Sequence, residues 1–128
     1  MKESLQSVSD VMRPGILSVS RSTSLKSVAR VMREHGVHGV LVIGDDGALL
    51  GWVTARGLLG HRADDWRRLD AGGAITEPCV VVVPSASVPS AIDTMLDAGA
   101  SHLAVMRPGS HTPDGVLSDI DLVAHLSR

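Results

Sequence analysis

The sequence predicts a mixed α/β (α+β) fold made of two β-α-β-β-α units in tandem. Three observations carry that prediction. The chain repeats itself, with Pro14 of "VMRPGILSV" matching Pro78 of "ITEPCVVVV" at an offset of 64 residues (78 − 14). Each copy alternates apolar runs of strand length with a segment of helical periodicity. Each copy also closes on a related motif, "GWVTARGL" at 51–58 and "GVLSDIDL" at 115–122.

Taken in order, the apolar runs at 16–19 and 80–83 read as opening strands. The segments that follow, "SRSTSLKSVARVMREHG" and "PSASVPSAIDTMLDAG", predict helices. Leu25, Val28, Ala29 and Met32 match Val88, Ala91, Ile92 and Met95, and both sets have the i, i+3, i+4, i+7 spacing that builds one apolar face. Ser24 and Ser87 are the expected N-caps, Pro89 suits a first turn, and Gly36 and Gly99 suit the left-handed residue that ends a helix. Next, "GVLVI" at 39–43 and "HLAVM" at 102–106 predict buried strands. A tight hairpin, "GDDG", follows the first and a longer Pro/Gly loop, "RPGSHTPD", follows the second. Then "LLGWVT" and "GVLS" predict the last strands, and "ARGLLGH" and "DIDLVAHL" the closing helices. These boundaries assign 1–10 to an N-terminal tail, 11–60 to the first unit, 61–73 to a linker and 74–128 to the second unit. With three Arg and three Asp, the linker is expected to be a solvated connector with room for a helical turn.

At 128 residues the chain suits one compact domain, or two half-size units that depend on each other. Hydrophobic residues make up 44% and charged residues 20%, which is the composition of a globular protein, and no Phe or Tyr is present. A formal charge of −2 and the scarcity of aromatics, with Trp52 and Trp66 alone, give no reason to expect nucleic acid as the main partner. No apolar run is long enough to span a bilayer, so no membrane partner is expected. The single Cys79 cannot form an internal disulfide and "MKESLQSVSD" has no apolar core, so a reducing cytoplasm is the expected location. Cys79 is expected to act as a small apolar residue. The six histidines form no H-x-x-x-H pair with a helix-borne acid, so no metal site is expected. There is no Gly-rich phosphate loop, no G-x-S-x-G elbow and no Cys/His dyad. The expectation is therefore no catalytic residues, no catalytic cofactor and no enzyme.

The ordered repeat, opening on "DVMRP" and closing on Gly-apolar-apolar-(Ser/Thr)-x-x-(Asp)-Leu, resembles the CBS domain, named after cystathionine β-synthase. The resemblance spans nearly the whole chain. It implies two units packed sheet to sheet as one intramolecular module, commonly homodimeric, whose clefts take adenosine-containing ligands. Those ligands are AMP, ADP, ATP, S-adenosylmethionine or a reduced nicotinamide dinucleotide. In the family's pattern the final Asp binds ribose hydroxyls, the Ser/Thr three residues earlier lies near the phosphate, and the opening and second strands frame the base. Carried over, this assigns Asp121 to the ribose, Ser118 to the phosphate, Val80, Val81 and Val82 to the adenine, and His102 to the cleft. The first copy keeps Thr54 but has Gly57 at the ribose position, so one site and one degenerate cleft are expected.

The implied function is that of a stand-alone regulatory or sensor module that binds AMP, ADP, ATP or S-adenosylmethionine mainly in the second cleft. It would form a homodimer and signal to an effector protein whose identity is open. The alternative is a structural or protein-interaction dimerisation module with vestigial clefts, because Ser118-x-x-Asp121 is equally a capping box. Asp119 and Asp121 make that helix start negative, so a phosphate ligand there needs a base. Arg13, Arg56 and Arg107 are the candidates, and the sequence leaves the choice open. Trp52 is expected to fill core or interface. Leu41 and Ala104 stand where the family often has Pro in the second strand.

Overall fold

The computed structural model describes residues 6–128. Half of the expected 1–10 tail, residues 1–5, lies outside the described residues. In chain order the elements are α1 (Val8–Val11), β1 (Arg13–Pro14), β2 (Ser18–Ser20), α2 (Leu25–His35), β3 (Gly39–Ile43), β4 (Leu49–Thr54), α3 (Ala55–Leu59) and α4 (Ala63–Arg68). A 3₁₀ turn (Ala71–Ala74) leads to β5 (Val81–Val82), α5 (Val88–Ala98), β6 (His102–Val105), β7 (Gly115–Ser118) and α6 (Asp119–Leu126). The mixed α+β class and the doubled strand-helix-strand-strand-helix order are both present.

Local chemistry sets the helix limits. Ser24 and Ser87 accept hydrogen bonds from the N–H groups of Ser27 and Ser90, and Gly36 and Gly99 end α2 and α5 at φ +63°. A side-chain cap of this kind is worth about 1 kcal/mol. The "GDDG" turn forms as expected, with Gly44 N–H bonded to Ala48 O and Gly47 at φ +85°.

The strands form two sheets, β2-β3-β4 and β1-β7-β6-β5. In each, the opening strand lies parallel to the second strand, which pairs antiparallel with the third. In β3 and β4, Val40, Val42 and Val53 face the helices while Leu41 and Trp52 are buried on the opposite face. Burial on both faces accounts for runs without polar alternation.

The compact units are offset from the repeats. One is Leu17–Cys79; the other joins the stretch ending at Ile16 to Val80–Arg128. Each copy's opening residues have left their own copy. Arg13 and Pro14 pair with Val116 and Gly115 of β7, and Gly15 N–H bonds Asp114 O. The remainder of the expected tail is also structural, since Val8 is fully buried and donates its N–H to Ala86 O. Burying a valine contributes about 1.5–3 kcal/mol. The other unit repeats the exchange, with Glu77 bridging Trp52 where Arg13 opposes Val116.

Residues 61–73, expected as a solvated connector with room for a helical turn, contain the short helix α4, which buries none of its residues, and run into the 3₁₀ turn. Ala71 and Ala74 are buried in the Leu17–Cys79 core, and the turn is capped by Asp70, which accepts from Gly73 N–H. Each unit thus has a core of its own, one around Leu25, Val28, Val40 and Val53, the other around Val8, Val88, Leu103 and Leu117.

Candidate functional site

The N-terminus of α6 carries the most complete set of the expected site residues. Ser118 is its N-cap and Asp121 its third residue. Ser118 Oγ accepts from Asp121 N–H at 3.3 Å, and Asp121 Oδ2 accepts from Ser118 N–H at 3.1 Å, which closes a capping box. The other carboxylate oxygen is engaged as well. Arg13 Nε–H donates to Asp121 Oδ1 at 2.9 Å, with the Asp121 side chain 10% exposed and Arg13 57% exposed. Each carboxylate oxygen therefore already accepts one hydrogen bond, Oδ2 from the helix start and Oδ1 from Arg13.

Topology brings Arg13 here. The pairing of β1 with β7 places it one strand from the residue that caps α6. Of the three basic candidates Arg13 is the one paired with Asp121, while Arg107 binds Asp114 at 3.1 Å. Sequence alone could not separate them, because Arg13 and Asp121 stand 108 positions apart in the chain.

His102 opens β6 directly across from Ser118 of β7, and its buried ring places Nδ1 2.9 Å from Ser101 Oγ. Val80, Val81 and Val82 lie at the sheet edge formed by β5. Ala104 and Met106 donate their N–H groups to Val80 O and Val82 O, each at 2.9 Å. Parallel pairing alternates the direction of backbone groups, so Val81 between them turns its N–H and C=O away from β6. Val82 enters the core and Val81 is exposed.

Thr54 falls in the other compact unit. Its Oγ1 caps α3 by accepting Gly57 N–H at 3.0 Å and lies 3.3 Å from Thr76 Oγ1. Thr76, which the sequence did not single out, explains Gly57. A Cβ there would stand 2.8 Å from Thr76 Cγ2 and 2.9 Å from its Oγ1. The space that holds a carboxylate in one unit is thus filled by threonine in the other. Trp52, expected as core or interface filling, is buried.

No group of three metal-ligating side chains occurs among the described residues, and none of their helices is long and apolar enough to cross a membrane. Burial pushes the Cys79 thiol above its ordinary range, which opposes thiolate formation. His125 is buried in α6 with both ring nitrogens unpartnered among the described residues, an arrangement that costs about 1–3 kcal/mol.

Comparison with known proteins gives a consistent pattern. The CBS domain family model matches residues 8–64 and again 71–128. Hypoxic response protein 1 of Mycobacterium tuberculosis is 27% identical over 120 residues, covering 91% of this chain and 82% of that protein. Among solved structures, CBSX2 in complex with AMP is similar at a TM-score of 0.75 and 24% identity, over 95% of this chain and 98% of that one. The CBS domain of a bacterial CNNM/CorC family Mg2+ transporter in complex with ATP is similar at 0.81 and 16%, over 98% and 90%.

Proposed function

This chain belongs to the CBS domain family, as a tandem pair, and on that premise we propose that it is a regulatory module binding an adenosine-containing ligand at the start of α6. AMP, ADP, ATP and S-adenosylmethionine are the candidates. The carrying observation is Asp121: a nearly enclosed carboxylate held by Ser118 through Oδ2 and paired with the cation of Arg13 through Oδ1. In this reading its oxygens take the ribose hydroxyls, much as an acid does in dinucleotide folds. Ser118 stands by the phosphate, and the outward backbone of Val81, with Val80, Val82 and His102, frames the base. CBSX2 with AMP and the transporter domain with ATP are similar proteins that carry such ligands. Catalysis forms no part of the proposal. Occupancy would act by favouring one of two arrangements and passing that bias to an effector protein in the cytoplasm.

Isothermal titration calorimetry of AMP, ADP, ATP and S-adenosylmethionine into the purified chain tests this. Saturable binding of one ligand per chain is expected. Silence across the panel would reject it and favour the second reading, an interaction module.

A specific observation supports that second reading, and it also bears on homodimerisation. Ile120, Val123 and Leu126 form an exposed apolar stripe at i, i+3, i+6 on α6. We propose that a second copy of the chain covers it. Val123→Asp is then expected to shift the protein from dimer to monomer in sedimentation velocity. A wild-type chain that sediments as a monomer at tens of micromolar, or a variant that remains dimeric, would remove this stripe from the interface.

A further inference from the structure

The ion pair between Arg13 and Asp121 has no counterpart in the other unit. At the repeat offset of 64 its members become Glu77 (13 + 64) and Gly57 (121 − 64). The backbone around them is nevertheless equivalent, with Arg13 opposite Val116 and Glu77 opposite Trp52. Crossing of the strands therefore does not itself require arginine at this point.

The two partners differ in freedom. Asp121 is nearly enclosed, and its Oδ2 bond to Ser118 N–H belongs to the helix start. Arg13 is mostly solvated, and Asp121 is its one side-chain partner among the described residues. The arginine is the part that can leave.

We propose that Arg13 is a latch on Asp121, opened by ion exchange. Ribose hydroxyls take the carboxylate oxygen that Arg13 vacates, and the freed guanidinium takes a phosphate on the same ligand. The proposal rests on the nucleotide reading above and narrows it to nucleoside phosphates. A guanidinium fork matches phosphate geometry and forms charge-assisted bonds with it. Adenosine carries the diol but returns nothing to the arginine, so it must break the ion pair without compensation. S-adenosylmethionine, with a sulfonium where AMP has its phosphate, is disfavoured for the same reason.

The test is titration of AMP and of adenosine into the wild-type chain and into Arg13→Gln. Wild type is expected to bind AMP at least about tenfold more tightly than adenosine. In Arg13→Gln, AMP is expected to weaken about tenfold, whereas adenosine tightens by up to about fivefold because an exposed ion pair no longer has to be broken. These opposite signs are the signature. A plain phosphate contact would weaken AMP and leave adenosine unchanged, and that result overturns the latch. Unchanged affinities for both ligands overturn it too. A wild type that binds neither ligand rejects the nucleotide reading itself, and the latch with it. Arg13 is exposed, so the variant's thermal midpoint is expected to stay close to that of wild type, which excludes misfolding as the cause of any loss.

Discussion

Asp121→Ala is expected to weaken AMP binding roughly 30-fold while leaving the fold in place. Two hydrogen bonds from a diol to a carboxylate are worth about 1.5 kcal/mol each, and the variant loses both. Part of that loss is returned, because the ligand no longer displaces Arg13, whose exposed pairing is worth at most about 1 kcal/mol. The remainder, about 2 kcal/mol, is the stated factor. The free protein should lose only about 1 kcal/mol, since Asp121 completes a capping box and Ser118 Oγ still accepts from the N–H at position 121. Calorimetry with AMP and thermal unfolding of the same two preparations measure both effects. Undiminished AMP affinity in the variant would show that Asp121 caps the helix and touches no ribose.

Gly51→Ala is expected to destabilise the protein by about 3 kcal/mol or more, well beyond the effect of the same change at Gly36. A Cβ on Gly51 would lie 2.6 Å from the backbone oxygen of Glu77 and 2.6 Å from Ile75 Cγ2, at φ +150°. Backbone cannot step aside as a side-chain tip can. Overpacking of this kind costs about 1–3 kcal/mol, and an unfavourable φ adds a similar amount. Gly36 also has a positive φ, +63°, but open space around it. Only the conformational cost applies there, about 1–2 kcal/mol. Denaturant unfolding of the two variants makes the comparison. Equal losses would mean that residues 75–77 yield easily, and that their crossing does not hold the unit together.

The crossing glycines also explain why both closing motifs begin with glycine. Gly115 meets Arg13 O at 2.5 Å and Met12 Sδ at 2.7 Å from its built Cβ, and Gly51 meets the equivalent segment in the other unit. The motif could be read directly from the chain. Its cause could not, because the strand that needs the space comes from the other copy. The same split runs through the site. Ser118 and Asp121 stand out because a cap and its reciprocal acid lie three residues apart. Arg13 was one of three bases until the pairing of β1 with β7 selected it. Thr76 stood in a segment whose sequence carries no sign that it faces Gly57.

Short-range chemistry therefore determined α2, α5, their serine caps and glycine ends, the β3-β4 and β6-β7 hairpin pairs, and the doubled order of elements. Each depends on contacts within a dozen or so residues, and such contacts leave a period or a turn signal in the chain. Tertiary structure decided the rest. It moved α1 and β1 from an expected tail and first copy into the unit of the second, buried Ala71 of the expected linker and Ala74 just after it, and joined Arg13 to Asp121. A two-residue strand such as Arg13–Pro14 and a four-residue helix such as Val8–Val11 are too short to carry a period. Their places are set by the surface they cover, and that surface lies some 100 residues away in sequence.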